Sequence, residues 1–183
     1  MIQWITFALG SIILIVISWK SLHHPDSHGF YRFFAWEAIL ALVVINIPNW
    51  FSNWLAWYQI ISWMLLFACI VPLVLGIQSL RTRGKPIKEE RPDPQLMAFE
   101  KTTQLVTSGI YKFIRHPLYS SLLMLAWGIF FKAPTLTGIF LTLLATLFLN
   151  ATAKADETEC IQVFGTDYQE YMKQSKMFIP FVF

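Results

Sequence analysis

A basic pair directly before a proline is the residue pattern in this sequence best suited to holding an anion. Arg115 and His116 precede Pro117, and an apolar run begins at Leu118. Proline disfavours helical geometry in the residue before it and fits the first position of a helix. The pair therefore lies at a helix N-terminus, where free backbone N–H groups carry partial positive charge. This pattern predicts an anion site; the alternative is two side chains that extend to a membrane surface.

A cluster of acidic residues follows the last long apolar run. Its members are Asp156, Glu157 and Glu159. If the last two apolar runs form a helical hairpin, this cluster returns to the face that carries Arg115 and His116. A basic and an acidic site on one face would hold a zwitterion, with its carboxylate at the basic side and its ammonium at the acidic side. The alternative is an ordinary solvated, charged helix end.

The elements that must position these residues are apolar runs of membrane-spanning length. The sequence is 56% hydrophobic and 14% charged, whereas soluble domains are about 25% charged. Five runs are long or apolar enough to form transmembrane helices: 2–19, 33–48, 54–77, 118–131 and 133–153. We therefore expect an all-α, polytopic integral membrane bundle of about five transmembrane helices, with an amphipathic C-terminal cytoplasmic helix. Its first partner is the lipid bilayer.

Lysines and arginines predict the orientation. The segment 81–115 holds eight of the 14 Lys and Arg residues: Arg81, Arg83, Lys85, Lys88, Arg91, Lys101, Lys112 and Arg115. The connection between the second and third runs holds none and is rich in tryptophan, which is typical of a membrane interface. The positive-inside rule then puts 81–115 in the cytoplasm, the N-terminus outside and the C-terminus inside. We expect a protein of a bacterial inner membrane, and the net charge of +3 gives no reason to expect a nucleic-acid partner.

The chain is expected to form one membrane domain, 1–183. Its predicted parts are a three-helix frame (1–80), a basic loop (81–117), a helical hairpin (118–153) and a cytoplasmic tail (154–183) that completes the site. Helically spaced apolar residues in the tail predict an amphipathic helix that ends at Gly165. Thr166 and Gln169 form a capping-box pattern for a second short helix. The apolar end, 178–183, is expected to return to the membrane face.

Taken together, the C-terminal motifs resemble a known family. The segment Gly109-Ile-Tyr-Lys-Phe-Ile-Arg-His-Pro-Leu-Tyr119, then Asp156-Glu157, Phe164-Gly165, Tyr168, Tyr171 and Ile179-Pro180, is similar to the isoprenylcysteine carboxyl methyltransferases. Phospholipid N-methyltransferases share much of this pattern. The likeness covers about Leu105 to Pro180, and the first three helices match only in hydropathy.

The resemblance implies a membrane methyltransferase that uses S-adenosylmethionine. The cofactor-binding residues that it implies are Gly109, Tyr111, Arg115, His116, Pro117, Tyr119 and Glu157. The family usually has two adjacent glutamates, and Asp156 takes the place of the first. Lys154 supplies the basic residue that precedes the pair, and Cys160 replaces a leucine that follows it.

The methyl acceptor decides which groups would be catalytic. Methyl transfer needs alignment of donor and acceptor and exclusion of water. A carboxylate or thiolate acceptor needs no base, whereas an amine must lose a proton, and Glu157, His116 or Glu170 would then accept it. Lys176 or Lys173 would hold an anionic acceptor group, with solvated lysines near anionic lipid as the alternative. We expect Glu157, Lys176 and Glu170 to be the catalytic residues and the acceptor to be a small or lipid-like molecule in the bilayer.

Two other functions fit parts of the sequence. A nicotinamide-dependent sterol-type reductase has a similar C-terminal part but is generally longer, and a non-enzymatic scaffold or small transporter would share the hydropathy. No internal repeat typical of transporters is present. His23, His24 and His28 are loosely spaced, so no metal site is expected. Glu37, within the second apolar run, is a functional candidate; the alternatives are that it extends to the membrane surface or pairs with Arg32 or the basic loop. The sequence does not define the oligomeric state.

Overall fold

Helices form the regular secondary structure of the part of the chain that the computed structural model describes, which is residues 2–84, 102 and 104–180. Two short 3-10 helices, Ile47–Asn49 and Gly109–Lys112, lie between longer elements. The α-helices are α1 (Ile2–Leu22), α2 (His28–Asn46), α3 (Trp57–Ala68), α4 (Ile70–Arg83), α5 (Pro117–Phe130), α6 (Leu136–Phe164) and α7 (Thr166–Gln174).

The long helices have the length and hydropathy of membrane spans. Among the described residues, four helical stretches qualify: Gln3–Leu22, His28–Asn49, Trp57–Arg83 and Leu136–Phe164. The shorter apolar helix α5 has 14 residues. The predicted all-α, polytopic membrane fold with about five transmembrane helices is therefore confirmed.

The third span is one stretch that is interrupted between α3 and α4. Pro72 lacks a backbone N–H, and its ring crowds the carbonyl four residues earlier, which belongs to Ala68. The helix is accordingly broken at Cys69 and resumes at Ile70. Membrane helices tolerate such a break when neighbouring helices pack around it.

The centre of the bundle is formed by α2, α5 and α6. Four residues are completely buried there: Leu42, Ala126, Ile129 and Ala145. Lipid tails are as apolar as these side chains, so close packing rather than the hydrophobic effect holds the helices together. The alanines at the contacts allow the helix backbones to approach each other closely.

A buried lysine links the turn between α5 and α6 to helix α3 and to Trp50, which follows the 3-10 helix Ile47–Asn49. Lys132, in the α5–α6 turn, is fully buried. Its Nζ lies 3.5 Å from the ring centroid of Trp63 and 5.1 Å from that of Trp50. It also donates to Gln59 Oε1 at 3.1 Å, while Gln59 Nε2 donates to the Lys132 carbonyl at 2.9 Å. The cation is therefore stabilised by aromatic faces, by the Gln59 amide oxygen and by the Trp50 carbonyl at 3.5 Å.

Several predicted boundaries differ from those in the structure. Helix α2 begins at His28 and not at residue 33, because the Ser27 hydroxyl caps it by accepting from the Phe30 N–H at 3.2 Å. Helix α6 does not end at residue 153, and the predicted amphipathic helix is its continuation to Phe164.

The predicted capping box is wrong. Gly165 is the N-cap of α7, and no side chain caps that helix. Gly165 has φ +60° and ψ −133°, a conformation that is essentially restricted to glycine. It turns α7 away from the axis of α6. The start of α7 is therefore set by a bend at Gly165 and not by the expected cap from the Thr166 hydroxyl.

The C-terminal segment packs into the protein. Phe178 is buried beside Tyr119, Leu149 and Ala153. The backbone of this segment pairs with the approach to α5, because the Arg115 N–H donates to the Lys176 carbonyl at 2.7 Å. Phe178 therefore packs against protein, whereas Ile179 is exposed; the return of 178–183 to the membrane face stays a prediction, and residues 181–183 lie outside the described residues.

Candidate functional site

A cavity lies where the N-terminus of α5 meets the C-terminal part of α6 and helix α7. It is also bordered by the start of α2 and the end of α4. Its cavity volume is about 100 Å³, which is below the range of about 300–1,000 Å³ that is usual for small-molecule sites. Its lining residues are His28, Leu80, Thr102, Leu105, Val106, Tyr111, Arg115, His116, Pro117, Leu118, Tyr119, Asp156, Cys160, Phe164, Tyr168 and Tyr171.

The basic and acidic clusters touch each other directly at the wall of this cavity. Arg115 Nε lies 2.7 Å from Glu157 Oε1, and both side chains are 10% exposed. His116 Nε2 lies 3.3 Å from the same oxygen, and its Nδ1 lies 3.4 Å from Asp156 Oδ2. The two clusters thus neutralise one another, whereas the sequence suggested two separate poles.

Arg115 ties three elements together. Besides Glu157 on α6, it donates through Nη1 to the carbonyls of Met172 and Ser175, at the end of α7. Those carbonyls belong to the helix end that bears partial negative charge, so a cation there is favourable. The side chain consequently fixes α6 and α7 around the cavity as well as contributing to its wall.

The two acidic neighbours of His116 favour its charged form. Burial by itself would lower the pKa of His116, because it disfavours the imidazolium. The hydrogen bonds and charges of Asp156 and Glu157 outweigh burial, so the pKa of His116 is raised. Its ring also stacks on Tyr119, with centroids 5.4 Å apart and planes 19° from parallel.

Aromatic rings form the rest of the wall. Tyr111, Tyr168 and Tyr171 are buried in one cluster, and Phe164 packs against it. The Tyr171 hydroxyl donates to the Tyr111 carbonyl at 2.6 Å. Burial raises the pKa of both Tyr168 and Tyr171, so these phenols remain neutral at physiological pH. Flat neutral rings beside a charged cluster suit a ligand that has both an aromatic and an ionic part.

His28 is a cavity residue that the sequence pattern did not predict. It was grouped with His23 and His24 as an exposed histidine, yet it is 1% exposed and lines the cavity. Its Nδ1 lies 2.6 Å from Glu159 Oε2. The signal for its position was Ser27, a typical N-cap residue, which places His28 on a helix facing α6.

The structure brings together most of the predicted binding residues but not all of them. Tyr111, Arg115, His116, Pro117 and Tyr119 line the cavity, and Glu157 lies directly behind its charged wall.

The other predicted residues lie elsewhere. Gly109, with φ +69°, borders a separate depression next to Arg83. Glu170 is exposed and pairs with Lys173 at 2.6 Å, and Lys176 has an exposed side chain. Neither Glu170 nor Lys176 is among the residues that line the cavity.

Similarity to known proteins falls on the same part of the chain. The phospholipid methyltransferase family matches residues 95–179. Methanethiol S-methyltransferase 1 of Bradyrhizobium diazoefficiens is 29% identical over 76 residues, which are 40% of this chain and 25% of that protein. A probable protein-S-isoprenylcysteine O-methyltransferase of Oryza sativa subsp. indica is 33% identical over 86 residues, 46% of this chain and 44% of that protein.

A reductase is also similar. A Delta(14)-sterol reductase of Mus musculus is 28% identical over 131 residues, which are 66% of this chain and 31% of that protein. The chain thus spans less than half of the length of each of these relatives. No solved structure matches the chain.

Proposed function

We propose that the protein transfers a methyl group from S-adenosylmethionine to a small or lipid-like acceptor, as the match of residues 95–179 to the phospholipid methyltransferase family suggests. The observation that carries this proposal is the cavity that the family region builds. It combines tyrosine rings, a carboxylate and a helix N-terminus around one space.

The residues of the cavity fit S-adenosylmethionine. Tyr111 and Tyr168 offer flat faces for the adenine, and tyrosine faces also attract the sulfonium. Asp156 offers a carboxylate to the ammonium group. The first turn of α5 contributes Leu118 to the wall, and its amides favour the ligand's carboxylate.

The ligand supplies the reactive group, and the protein supplies the alignment. When bound, S-adenosylmethionine supplies an electrophilic methyl group. The protein's own residues bind the two ends of the ligand, keep water from the reacting atoms and hold the geometry. Arg115 and Glu157 contribute by fixing α6 and α7 against the start of α5. We assign both a positioning role, because they hold the helices around the cavity and do not line the reacting atoms themselves.

We further propose that the cavity opens at the cytoplasmic face of a bacterial inner membrane. The cytoplasmic assignment rests on the Lys and Arg residues of 81–115. Such a site takes a polar methyl donor from water and an apolar acceptor from the bilayer. The acceptor classes to consider are thiols, amines and carboxylates, since one relative is named for methanethiol and another for isoprenylcysteine.

A reductase is the second candidate, because the sterol reductase relative aligns with more of this chain than the other two relatives described. Calorimetry of purified protein in detergent separates the two candidates. We expect S-adenosylhomocysteine to bind and NADPH to give no heat. Asp156→Asn should weaken binding at least about tenfold, the effect of one lost charge-assisted hydrogen bond. Asp167→Asn, on the exposed side of α7, should leave it unchanged; binding of NADPH alone would reject the methyltransferase.

A further inference from the structure

The His28–Glu159 pair is the most tightly defined group in the cavity that the proposed binding of S-adenosylmethionine does not use. Glu159 Oε1 accepts the His28 backbone N–H at 2.9 Å, and Oε2 pairs with ring Nδ1 at 2.6 Å. One carboxylate therefore fixes both the start of α2 and the orientation of the imidazole. The Ser27 cap fixes the same turn from its other side.

This clamp determines which ring nitrogen can react. A carboxylate only accepts hydrogen bonds, so the hydrogen of a neutral ring lies on Nδ1 and the lone pair lies on Nε2. Nε2 is buried and has no hydrogen-bond partner among residues 2–84, 102 and 104–180. Buried polar atoms without a partner are rare and require an explanation. Because His28 lines the cavity, Nε2 is the ring nitrogen left for an occupant of that cavity.

We propose that His28 Nε2 accepts a proton from the methyl acceptor and that the acceptor's reacting atom is therefore a thiol or an amine. Glu159 is the positioning residue that orients the ring and stabilises its charged form. The inference rests on the proposed methyl transfer and narrows its substrate class. A carboxylate acceptor, already ionised, would need no such group.

The proposed step balances in atoms and charge. The S–H or N–H proton of the acceptor passes to the lone pair of His28 Nε2. The electron pair of that bond stays on the acceptor atom, which forms the new bond to the methyl carbon, while the pair of the broken carbon–sulfur bond goes to the donor's sulfur. His28 becomes an imidazolium, neutralised by Glu159, and later returns its proton to water.

Other charged groups around His28 are compatible with this role. Burial disfavours the imidazolium, Asp156 and Glu159 on α6 favour it, and Arg32 on α2 opposes it. Glu157 is occupied by Arg115 and His116, and Glu170 is outside the cavity. Of the acidic and imidazole groups considered, His28 is the one that combines a free ring nitrogen with a place in the cavity wall.

A metal would use the same atoms. His28, Asp156 and Glu159 each offer a ligand atom, and these atoms lie within 4.8 Å of one another. A metal ion bound between the His28 ring and Glu159 would replace their direct hydrogen bond. The hydrogen of the neutral ring would then no longer be fixed on Nδ1, and Nε2 would no longer be assigned as the basic nitrogen. Loss of activity in EDTA with recovery on adding Zn²⁺ would therefore overturn the inference.

Three variants test the proposal. His28→Gln removes the basic nitrogen at similar size, Glu159→Gln removes the charge of its partner, and His24→Gln is the control at an exposed histidine of the same connection. With S-adenosylhomocysteine bound, a small alkanethiol is added and the ultraviolet absorbance of thiolate is recorded at a pH at which the free thiol is protonated. We expect thiolate absorbance with the unaltered protein and with His24→Gln, and none with His28→Gln.

Turnover supplies the second readout. We expect methyl transfer to thiols or amines but not to carboxylates, and a fall in kcat of about 10²–10⁴-fold for His28→Gln that added imidazole partly restores. Glu159→Gln should lower kcat and leave KM for S-adenosylmethionine unchanged. If His28→Gln keeps both kcat and thiolate absorbance, or if only carboxylates are methylated, the inference fails while S-adenosylhomocysteine binding still stands. If the unaltered protein does not bind S-adenosylhomocysteine, the proposed function itself fails.

Discussion

Glu157→Gln separates a structural role of this carboxylate from direct contact with a ligand. In the structure, Glu157 Oε1 pairs with Arg115 Nε at 2.7 Å and lies 3.3 Å from His116 Nε2. Glu157 does not line the cavity, whereas the neighbouring Asp156 does. We therefore expect the substitution to lower stability strongly and to weaken S-adenosylhomocysteine binding only slightly.

The magnitude follows from burial. Both partners of the Arg115–Glu157 pair are 10% exposed, and removal of one partner of a buried pair costs about 3–5 kcal/mol. Glutamine keeps the shape and one acceptor, and Arg115 keeps two carbonyl partners on and beside α7. The expected loss is therefore about 2–4 kcal/mol, which lowers the melting temperature by about 4–16 °C for a chain of this length.

The assay is thermal unfolding in detergent, followed by calorimetry with S-adenosylhomocysteine at a temperature at which both proteins are folded. Glu170→Gln is the matched control, because its pair with Lys173 is mostly exposed and such pairs contribute less than about 1 kcal/mol. Equal melting of Glu157→Gln and Glu170→Gln would refute the role assigned to the buried pair. Unchanged melting with a binding loss above about tenfold would show that Glu157 contacts the ligand.

Three further substitutions test the pH dependence, the buried lysine and the bend before α7. The unaltered protein should melt at a higher temperature than His116→Gln, and the difference should be largest below about pH 6.5. The reason is that the pKa of His116 is raised in the folded state, which stabilises the folded protein at low pH. The difference in melting temperature should shrink as the pH rises through the pKa of folded His116. Lys132→Met should cost about 2–4 kcal/mol in thermal unfolding, since it removes the tryptophan contacts and leaves the Gln59 oxygen unpaired. Gly165→Ala should cost about 1–3 kcal/mol from backbone strain alone, since no atom lies within 4 Å of the added carbon.

Each of these three predictions would be contradicted by a specific result. A melting difference for His116→Gln that grows with pH would mean that the histidine is neutral in the folded protein. Lys20→Met is the exposed control for the lysine, and equal melting of the two lysine variants would contradict the contribution assigned to Lys132. An unchanged unfolding free energy for Gly165→Ala would contradict a requirement for glycine at this bend.

The helical fold could be predicted from the sequence because membrane spans are defined by length and apolarity alone. Helix ends depend on local contacts that hydropathy does not record. The predicted end of the fifth run, at residue 153, misplaced the end of α6 because its charged continuation to Phe164 is held by tertiary contacts of Glu157 and Glu159. The break at Cys69 follows from Pro72, so it could have been predicted from the sequence.

The site could be predicted in part. Motif spacing identified Arg115, His116 and the acidic pair, because a helical hairpin must bring its two ends to one face. Spacing along the chain shows that the two ends share a face but not whether their side chains touch. The direct Arg115–Glu157 ion pair was therefore not predicted. His28 was missed since its burial depends on α2 packing against α6, and a single sequence does not specify which helices are neighbours.

Photolabelling with methyl-labelled S-adenosylmethionine tests the central claim most directly. Ultraviolet irradiation of the purified protein attaches the ligand to side chains that it touches, and the labelled peptides are then mapped by mass spectrometry. The cavity predicts labels on the peptides that contain Tyr111–Tyr119 or Tyr168–Tyr171, and their loss when unlabelled S-adenosylhomocysteine is added in excess. Absence of label, or label confined to peptides from α1 and α3 that resists competition, would contradict a methyl-donor site in this cavity.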